Sequence, residues 1–286
     1  MEKVLLIGGY GFFGSHMYSV LSGEYSVEVM SRFKHDNGNI PGKDWIEGDI
    51  TSKVDVERAL GRGYDYVFDF VGLISEKAEK HSDVNITGTQ NIIDAALSTG
   101  IEPKMIYISA INAENGTTEY FRTKREAEKI ISSYKNSLII RPSIIYGKYD
   151  FLTLQFYKMI SQNIPLFPKS GLIYPVHIDD ITNVVKSKMN GTGAFNVCGD
   201  ENLRFGDMFN IFRKRFGKKP IHQAPMLLFK TMSPILAHYG IIEKEQIDML
   251  GYDFYRSDSI LNEVIKEPMR YSEFVKGLGL ATRSIR

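Results

Sequence analysis

The sequence predicts an α/β protein, a Rossmann-type doubly wound parallel sheet with a smaller, mostly helical C-terminal region. Three observations carry that expectation. Apolar runs of strand length alternate with helix-period segments through the first half of the chain. A glycine-rich turn joins the first strand to the first helix. The 286 residues are 43% hydrophobic and 24% charged, ordinary globular values that exclude a disordered or fibrous chain.

Val4–Ile7 is an apolar first strand, and Phe12, Phe13, His16, Met17, Val20 and Leu21 then recur at helix spacing. Tyr25–Met30 reads as the second strand, Asp44–Glu47 as a short third, and Lys53–Leu60 as a weak helix. Tyr64–Val71 is the fourth strand, with Val67, Phe68 and Phe70 inside it. Val84–Leu97 reads as a helix, and Gly100 stands where a helix stop belongs. Lys104–Ser109, Glu119–Tyr134 and Ser137–Arg141 follow as strand, helix and strand. Such alternation argues for a parallel sheet covered on both faces. Beyond Pro142 the regularity breaks. Phe151–Ile160 looks helical, Pro165 and Pro168 punctuate a loop, and a final strand lies near Ala194–Val197. From Leu203 the pattern is helix and turn, with Pro220, Pro225, Pro234 and Pro268 interrupting it. Residues 1–148, with a return segment 172–198, form the expected sheet-bearing domain. Residues 149–171 and 199–286 form the region expected to choose a substrate or partner.

Charge and cysteine content narrow the function classes. With 35 Lys+Arg against 34 Asp+Glu, the net charge of +1 gives no global field to draw the chain onto nucleic acid. The single cysteine, Cys198, excludes an internal disulfide and a cysteine-based zinc site. The apolar run after Met1-Glu2-Lys3 is too short for a signal-peptide core, and no stretch reaches the ~18 apolar residues of a membrane span. The expectation is a cytoplasmic protein.

Gly8, Gly11 and Gly14 stand at GxxGxxG spacing. With 25 glycines in the chain, chance supplies about 0.2 such triplets, so the string alone is only suggestive. Its place between the first strand and the first helix adds the physical reason. Glycines let the backbone turn tightly and approach a pyrophosphate, which the free N–H groups and dipole of the helix start attract. Tyr10, Phe12 and Phe13 stand in the same turn and are expected, with the glycines, to contact the cofactor. A dinucleotide without a 2′-phosphate calls for an acidic residue at the end of the second strand, about 20 residues after the glycines. Here that strand ends Val29-Met30-Ser31-Arg32, with Lys34 nearby. Arg32 offers a planar fork to a 2′-phosphate and Ser31 a hydroxyl, so NADP(H) is favoured over NAD(H).

The chain resembles the extended or atypical short-chain dehydrogenase/reductase superfamily. Gly48-Asp49-Ile50 resembles the acidic turn beside the adenine, and Phe70-Val71-Gly72 the turn packed along the cofactor. Asn85-Ile86-Thr87-Gly88-Thr89 resembles the family's Asn-x-x-Gly-Thr helix. Arg141-Pro142-Ser143-Ile144-Ile145-Tyr146-Gly147 resembles the exit from the sixth strand under the nicotinamide. Pro175-Val176-His177-Ile178-Asp179-Asp180 and Phe195-Asn196-Val197 resemble later signatures of nucleotide-sugar epimerases. The resemblance implies cofactor contacts from Asp49, Ile50, Phe70, Val71, Gly72, Asn85, Ile108, Pro142, Ile144 and Ile145, and a substrate pocket lined by His177. Within the superfamily, the chain is most similar to the group typified by the 39 kDa accessory subunit of respiratory complex I. That likeness rests on Ser109–Ala113, Tyr120–Lys124, Arg141–Asp150 and, more weakly, Glu243–Ile247. The group holds NADPH and is regarded as structural.

Reductases of this superfamily use Ser, Tyr and Lys. Tyr120 and Lys124 are four apart and share a helix face. Chance alone supplies about 1.2 YxxxK pairs, so position after the fifth strand carries the assignment. The nearby ammonium is expected to pull the phenol down from its usual ~10 toward working pH. Lys124 is also expected to touch the cofactor ribose, and Ser109 to steady the substrate oxygen. Eleven residues separate Ser109 from Tyr120, about half the loop usual in nucleotide-sugar epimerases, and Ala110 replaces the second serine of their pair, which leaves contact with the cofactor as the alternative role for Ser109.

His177 is read as a pocket residue and the pair Asp179 and Asp180 as the cap of a helix Ile181–Met189, rather than as metal ligands, so no metal is expected. Arg204–Lys219 reads as a helix with an apolar core face and a solvated basic face. Pro225–Phe229 and Pro234–Ala237 are unusually apolar for loops. They leave a protein partner or peripheral contact with the inner face of a membrane open for residues 204–240. Two functional readings follow. The first is an NADP(H)-dependent hydride-transfer enzyme acting on an unidentified carbonyl, hydroxyl or nucleotide-sugar substrate. The second is a non-catalytic NADPH-binding structural or assembly module. Oligomeric state stays open.

Overall fold

The computed structural model of the chain describes residues 1–34, 40–72, 80–161, 166–231 and 244–279. Pro165, Pro234–Ala237 and Glu243 lie outside the described residues.

Seven strands form one parallel sheet: β1 (Lys3–Ile7), β2 (Ser26–Ser31), β3 (Trp45–Glu47), β4 (Tyr66–Asp69), β5 (Lys104–Ile108), β6 (Ser137–Pro142) and β10 (Gly193–Val197). Their order is β10-β6-β5-β4-β1-β2-β3, the Rossmann-like α/β arrangement expected. From β1 the chain winds outward through β2 and β3, then crosses to β4 and winds the other way. The register Ile7↔Met30 and Ile7↔Asp69 places the reversal at the end of β1, where this architecture leaves a crevice for ligands.

Strand alternation explains why β1 is apolar throughout. Val4 and Leu6 enter a core with Phe13, Met17 and Leu21 of α1 (Phe12–Leu21) and Ile181, Val184 and Val185 of α6 (Ile178–Lys188). Leu5 and Ile7 point to the opposite face, against Val56 of α2 (Lys53–Leu60), Ile92 and Ala96 of α3 (Gly88–Ser98) and Ala127 of α4 (Glu119–Ser133). A strand buried on both faces has no room for a polar alternate. Caps set two helix starts. Ser52 accepts the Asp55 N–H at 3.3 Å, and Thr118 accepts the Phe121 N–H at 3.4 Å. Between α4 and β6, Glu128 receives two hydrogen bonds from Arg141, at 2.8 and 2.6 Å, a bidentate ion pair.

A third core lies beyond the carboxyl ends of the strands and is rich in aromatic rings. Phe156 of α5 (Phe151–Ser161) packs on Phe209 and Phe212 of α7 (Phe205–Arg215), with ring centroids 4.9 and 5.7 Å apart. Phe121, Tyr146, Phe254 and Tyr271 join the same cluster. The expected basic helix is present: Phe205, Met208, Phe209 and Phe212 are buried, while Lys214, Arg215, Lys218 and Lys219 are exposed. Arg213 departs from the solvated face. It is buried, and its Nε donates to the Lys219 carbonyl at 2.7 Å. Two small parallel ribbons, β7 (Ile145–Tyr146) with β9 (Val176–His177) and β8 (Leu166–Pro168) with β11 (His222–Ala224), had no periodicity to announce them. Among the described residues no helix is long and apolar enough to cross a membrane.

Two boundaries are corrected. The helix expected over 84–97 opens with a π-helical turn, Ser82–Thr87, before α3 begins at Gly88. There the Thr89 hydroxyl donates to the Asn85 carbonyl at 2.6 Å, and a Cβ at Gly88 would come within 2.9 Å of Ile50. The helix expected from Ile181, capped by the Asp pair, starts instead at Ile178 with His177 as its cap. The His177 Nδ1 accepts the Asp179 N–H at 3.3 Å. Asp180 accepts the Met269 N–H at 2.8 Å and so ties down the C-terminal segment.

Candidate functional site

At the crevice, the chain turns from β1 into α1 through Gly8, which has φ +79 and whose amide donates to the Met30 carbonyl at 3.0 Å. The Gly11 amide donates back to the Gly8 carbonyl at 2.9 Å. A Cβ at Gly14 would lie 2.5 Å from the Gly9 Cα, so helix and turn meet backbone to backbone. No side chain caps the start of α1, and its first turn carries no acidic residue. Its amides and dipole therefore stay available to an anion. Phe13 packs on Phe70 at 5.1 Å, Tyr10 lies half-buried against the same core, and Phe12 reaches across to Gly147 and Ile178. These contacts bring the glycine turn against β4 and the β7–β9 ribbon.

The other expected cofactor residues also stand at strand ends. Ser31 closes β2, but its hydroxyl donates to the Phe33 carbonyl at 2.8 Å and accepts from the Trp45 indole at 3.0 Å. Arg32 lies 4.0 Å from Asp49 and 6.0 Å over the Phe33 ring. Asp49 accepts both the backbone N–H and the hydroxyl of Thr51 at 2.8 Å, and Ile50 is buried with its carbonyl bonded to Asn91. Pro142 ends β6 and accepts the Ile111 N–H. The Ile144 carbonyl accepts the Val176 N–H, and Ile145 packs toward the α1–α6 core.

Lys124 is the convergence point. It is buried, its Nζ donates to the carbonyls of Ile108 (2.9 Å) and Val71 (3.3 Å), and it sits 4.7 Å from the Tyr107 ring centroid. A Cβ at Gly72 would come within 3.0 Å of that nitrogen, so the glycine makes room for the ammonium. Burial pushes the lysine down to about 8, opposed by the carboxylates of Asp69 and Glu128. Two buried polar atoms beside this group have no hydrogen-bond partner among the described residues: the Ser109 hydroxyl and the Asn85 side-chain carbonyl. Leaving such an atom unsatisfied costs about 1–3 kcal/mol, which a bound ligand would recover. The glycine cradle, the bare helix start and these orphaned atoms together fit a dinucleotide lying across the strand ends.

Tyr120 contradicts one expectation. Its phenol is not drawn down by Lys124, one helical turn further along α4, whose ammonium is turned to the Val71 and Ile108 carbonyls. Burial and then the carboxylate of Glu245 push it up to about 12. Glu245 belongs to a short C-terminal helix, Lys244–Met249, and accepts the Tyr120 N–H at 2.8 Å. Beside it opens a cavity of about 630 Å³, lined by Thr117, Thr118, Glu119, Glu245, Asp248 and Tyr252 among others. His177 is not among the residues lining that cavity. It is held at the start of α6 against Tyr146 (5.3 Å) and Phe274 (5.5 Å), and burial lowers its pKa.

Sequence reasoning missed three members of the site. Asp69 ends β4 fully buried, accepts from the Val71 N–H (2.9 Å), lies 3.2 Å from the Thr89 hydroxyl oxygen, and is pushed up to about 6 by burial. The signal was legible: a lone carboxylate inside the apolar run Tyr66-Val67-Phe68-Asp69-Phe70. His81 left no comparable trace and Glu245 only its place in the weak likeness over Glu243–Ile247, because only the tertiary fold brings them to Tyr120.

The sequence profile of the NAD dependent epimerase/dehydratase family matches residues 4–167. A UDP-glucose 4-epimerase from Vibrio cholerae is 27% identical over 197 residues, 58% of this chain and 58% of that protein. The chain thus spans under two thirds of that relative's length. An N-acetyl-alpha-D-glucosaminyl-diphospho-ditrans,octacis-undecaprenol 4-epimerase from Escherichia coli O157:H7 is 26% identical over 76% of this chain and 73% of its own. Among solved structures, the Bordetella bronchiseptica enzyme WbmH in complex with NAD+ superposes with a TM-score of 0.76. It covers 96% of both chains at 14% identity, a likeness of fold.

Proposed function

The chain belongs to the NAD dependent epimerase/dehydratase family, and from that premise we propose that it is a dinucleotide-dependent oxidoreductase or epimerase acting on a carbonyl or hydroxyl substrate, a nucleotide sugar included. The observation that carries the reading is buried Lys124 beside the orphaned Ser109 hydroxyl and Asn85 carbonyl at the strand ends, with Tyr120 one turn earlier on the same helix. Bound there, a nicotinamide ring supplies hydride donor and acceptor chemistry. Lys124 has three N–H groups and gives two to the Val71 and Ile108 carbonyls, which leaves one for a ribose hydroxyl. Ser109 orients the substrate oxygen, and Tyr120 exchanges a proton with it at Oη. A phenol held up at about 12 is protonated at neutral pH. It therefore serves first as the acid that delivers a proton to a reduced carbonyl.

NADP(H) is the favoured cofactor in this proposal. Supporting it are the basic end of β2, with Arg32 half-exposed beside the adenosine side of the crevice, and the absence of a carboxylate in Ser31-Arg32-Phe33-Lys34. The domain division at residue 148 and cytoplasmic placement belong to the same reading. So does a partner or membrane contact through residues 204–240, which the exposed Leu227 and Leu228 support.

One observation favours the second reading, a cofactor-holding structural or assembly module like the complex I subunit group. The Glu245 carboxylate at Tyr120 opposes the phenolate that the reverse reaction needs. A single experiment separates the two. NADPH consumption is followed against carbonyl and sugar-nucleotide panels, with Tyr120→Phe as control. Turnover lost by at least ~100-fold in the variant, with cofactor binding retained, supports the enzyme. Stoichiometric, inert cofactor in both proteins supports the module, and undiminished turnover in Tyr120→Phe removes the tyrosine from the mechanism.

A further inference from the structure

Three distant segments meet at one carboxylate. Glu245 accepts the Tyr120 backbone N–H at 2.8 Å through Oε1, and its Oε2 lies 3.2 Å from His81 Nε2. His81 is fully buried and directly precedes the π-helical turn Ser82–Thr87 that carries Asn85. Its ring stands edge-on to the Tyr120 ring, with centroids 5.8 Å apart. An ionised carboxylate only accepts hydrogen bonds, so His81 presents Nε2–H to it. The Tyr120 amide is one of the orphan donors in the first turn of α4, and Thr118 caps only the next one, Phe121. Glu245 therefore completes the start of the tyrosine-bearing helix from another part of the chain. It also forms part of the wall of the 630 Å³ cavity beside it.

We propose that Glu245, held by His81, is a positioning residue through which the C-terminal region fixes the orientation and protonation of Tyr120. The inference rests on the reading of Tyr120 as the proton-exchanging group, but its test does not need turnover. Among the described residues, the other charged or titratable groups around the tyrosine are Lys124, the Glu119–Arg122 pair and Tyr107. Lys124 is turned to the Val71 and Ile108 carbonyls, the Glu119–Arg122 pair lies exposed on its own helix, and Tyr107 is buried on β5. None of these replaces a negative charge at the Tyr120 amide. Glu245 sits at the boundary between catalytic helix and cavity. A substrate entering that cavity meets the carboxylate that governs the tyrosine.

The test is a titration of ¹³Cζ-tyrosine-labelled full-length protein by NMR, with the Tyr120 resonance assigned by Tyr120→Phe. Glu245→Gln keeps an acceptor for the amide and removes the charge, so a mere structural cap survives it. The expected result is a Tyr120 midpoint lower by about one pH unit, a tenfold rise in phenolate at fixed pH. Glu245→Asp, which keeps the charge, is expected to restore most of the wild-type midpoint. An unchanged midpoint in Glu245→Gln, with melting temperature also unchanged, overturns the proposal. A shift in Glu245→Gln accompanied by an inert enzyme panel supports the positioning role while removing the catalytic reading, so the two failures are distinguishable.

Discussion

Replacing Asp69 with asparagine is expected to stabilise the protein while weakening its site. The carboxyl is fully buried and burial raises it from 3.8 to about 6. Its ionised form is thus disfavoured in the fold. A carboxyl raised on folding contributes stability below its unfolded midpoint and loses it as pH rises through the folded one. At about 1.4 kcal/mol per pH unit, the rise costs the folded protein about 3 kcal/mol at pH 8 and about half that at pH 5. Asparagine fits the same space. Its carbonyl still accepts the Val71 N–H. Its amide can donate to the Thr89 oxygen, whose own proton already goes to the Asn85 carbonyl at 2.6 Å. Urea denaturation at both pH values is therefore expected to show Asp69→Asn more stable by about 1–3 kcal/mol at pH 8, with a smaller gain at pH 5. The site pays in the other direction. Asp69 is the larger of the two carboxylate influences that hold Lys124 up against burial, so its removal drives the ammonium below about 8 and loosens its hold on a ribose hydroxyl. A variant less stable than wild type at pH 8, with the same pH dependence, would refute the reasoning.

Two further outcomes follow from the crevice. Arg32→Ala is expected to erase the preference for NADPH over NADH in a binding titration, and equal affinities already in the wild type would remove the role given to Arg32. Gly14→Ala places a Cβ 2.5 Å from the Gly9 Cα and 2.8 Å from the Gly8 carbonyl oxygen, both backbone atoms. The turn must open at a cost of about 1–3 kcal/mol, so dinucleotide affinity is expected to fall about tenfold or more while circular dichroism stays unchanged.

The sheet was legible because a strand buried on both faces leaves a long apolar mark. Val4–Ile7 and Ser137–Arg141 carry that mark in the sequence, and their strand positions match within two residues. The glycine turn was legible for a related reason: Gly14 against Gly9 is a contact no other residue type permits. What the sequence hid was tertiary. The upward push on the Tyr120 phenol comes from burial and then from Glu245, 125 positions away, and a four-residue spacing to Lys124 says nothing about where the ammonium points. The cap of α6 was misplaced for a local reason. Aspartates are the commoner N-caps, yet here β9 ends at His177 and the helix starts at once, so the imidazole takes that place. The π-helical turn was equally silent, since its apolar spacing over Val84 and Ile92 is close to that of a regular helix.

The central claim is that the uncapped amides at the start of α1 grip the diphosphate of a nicotinamide dinucleotide whose reactive end meets Lys124 and Tyr120. Calorimetric titration of the full chain with NADPH and with NADH tests it directly. The account predicts one site per chain, tighter for NADPH, with binding weakening as pH rises through about 8 and Lys124 loses its proton. Heat of dilution alone for both dinucleotides would contradict it.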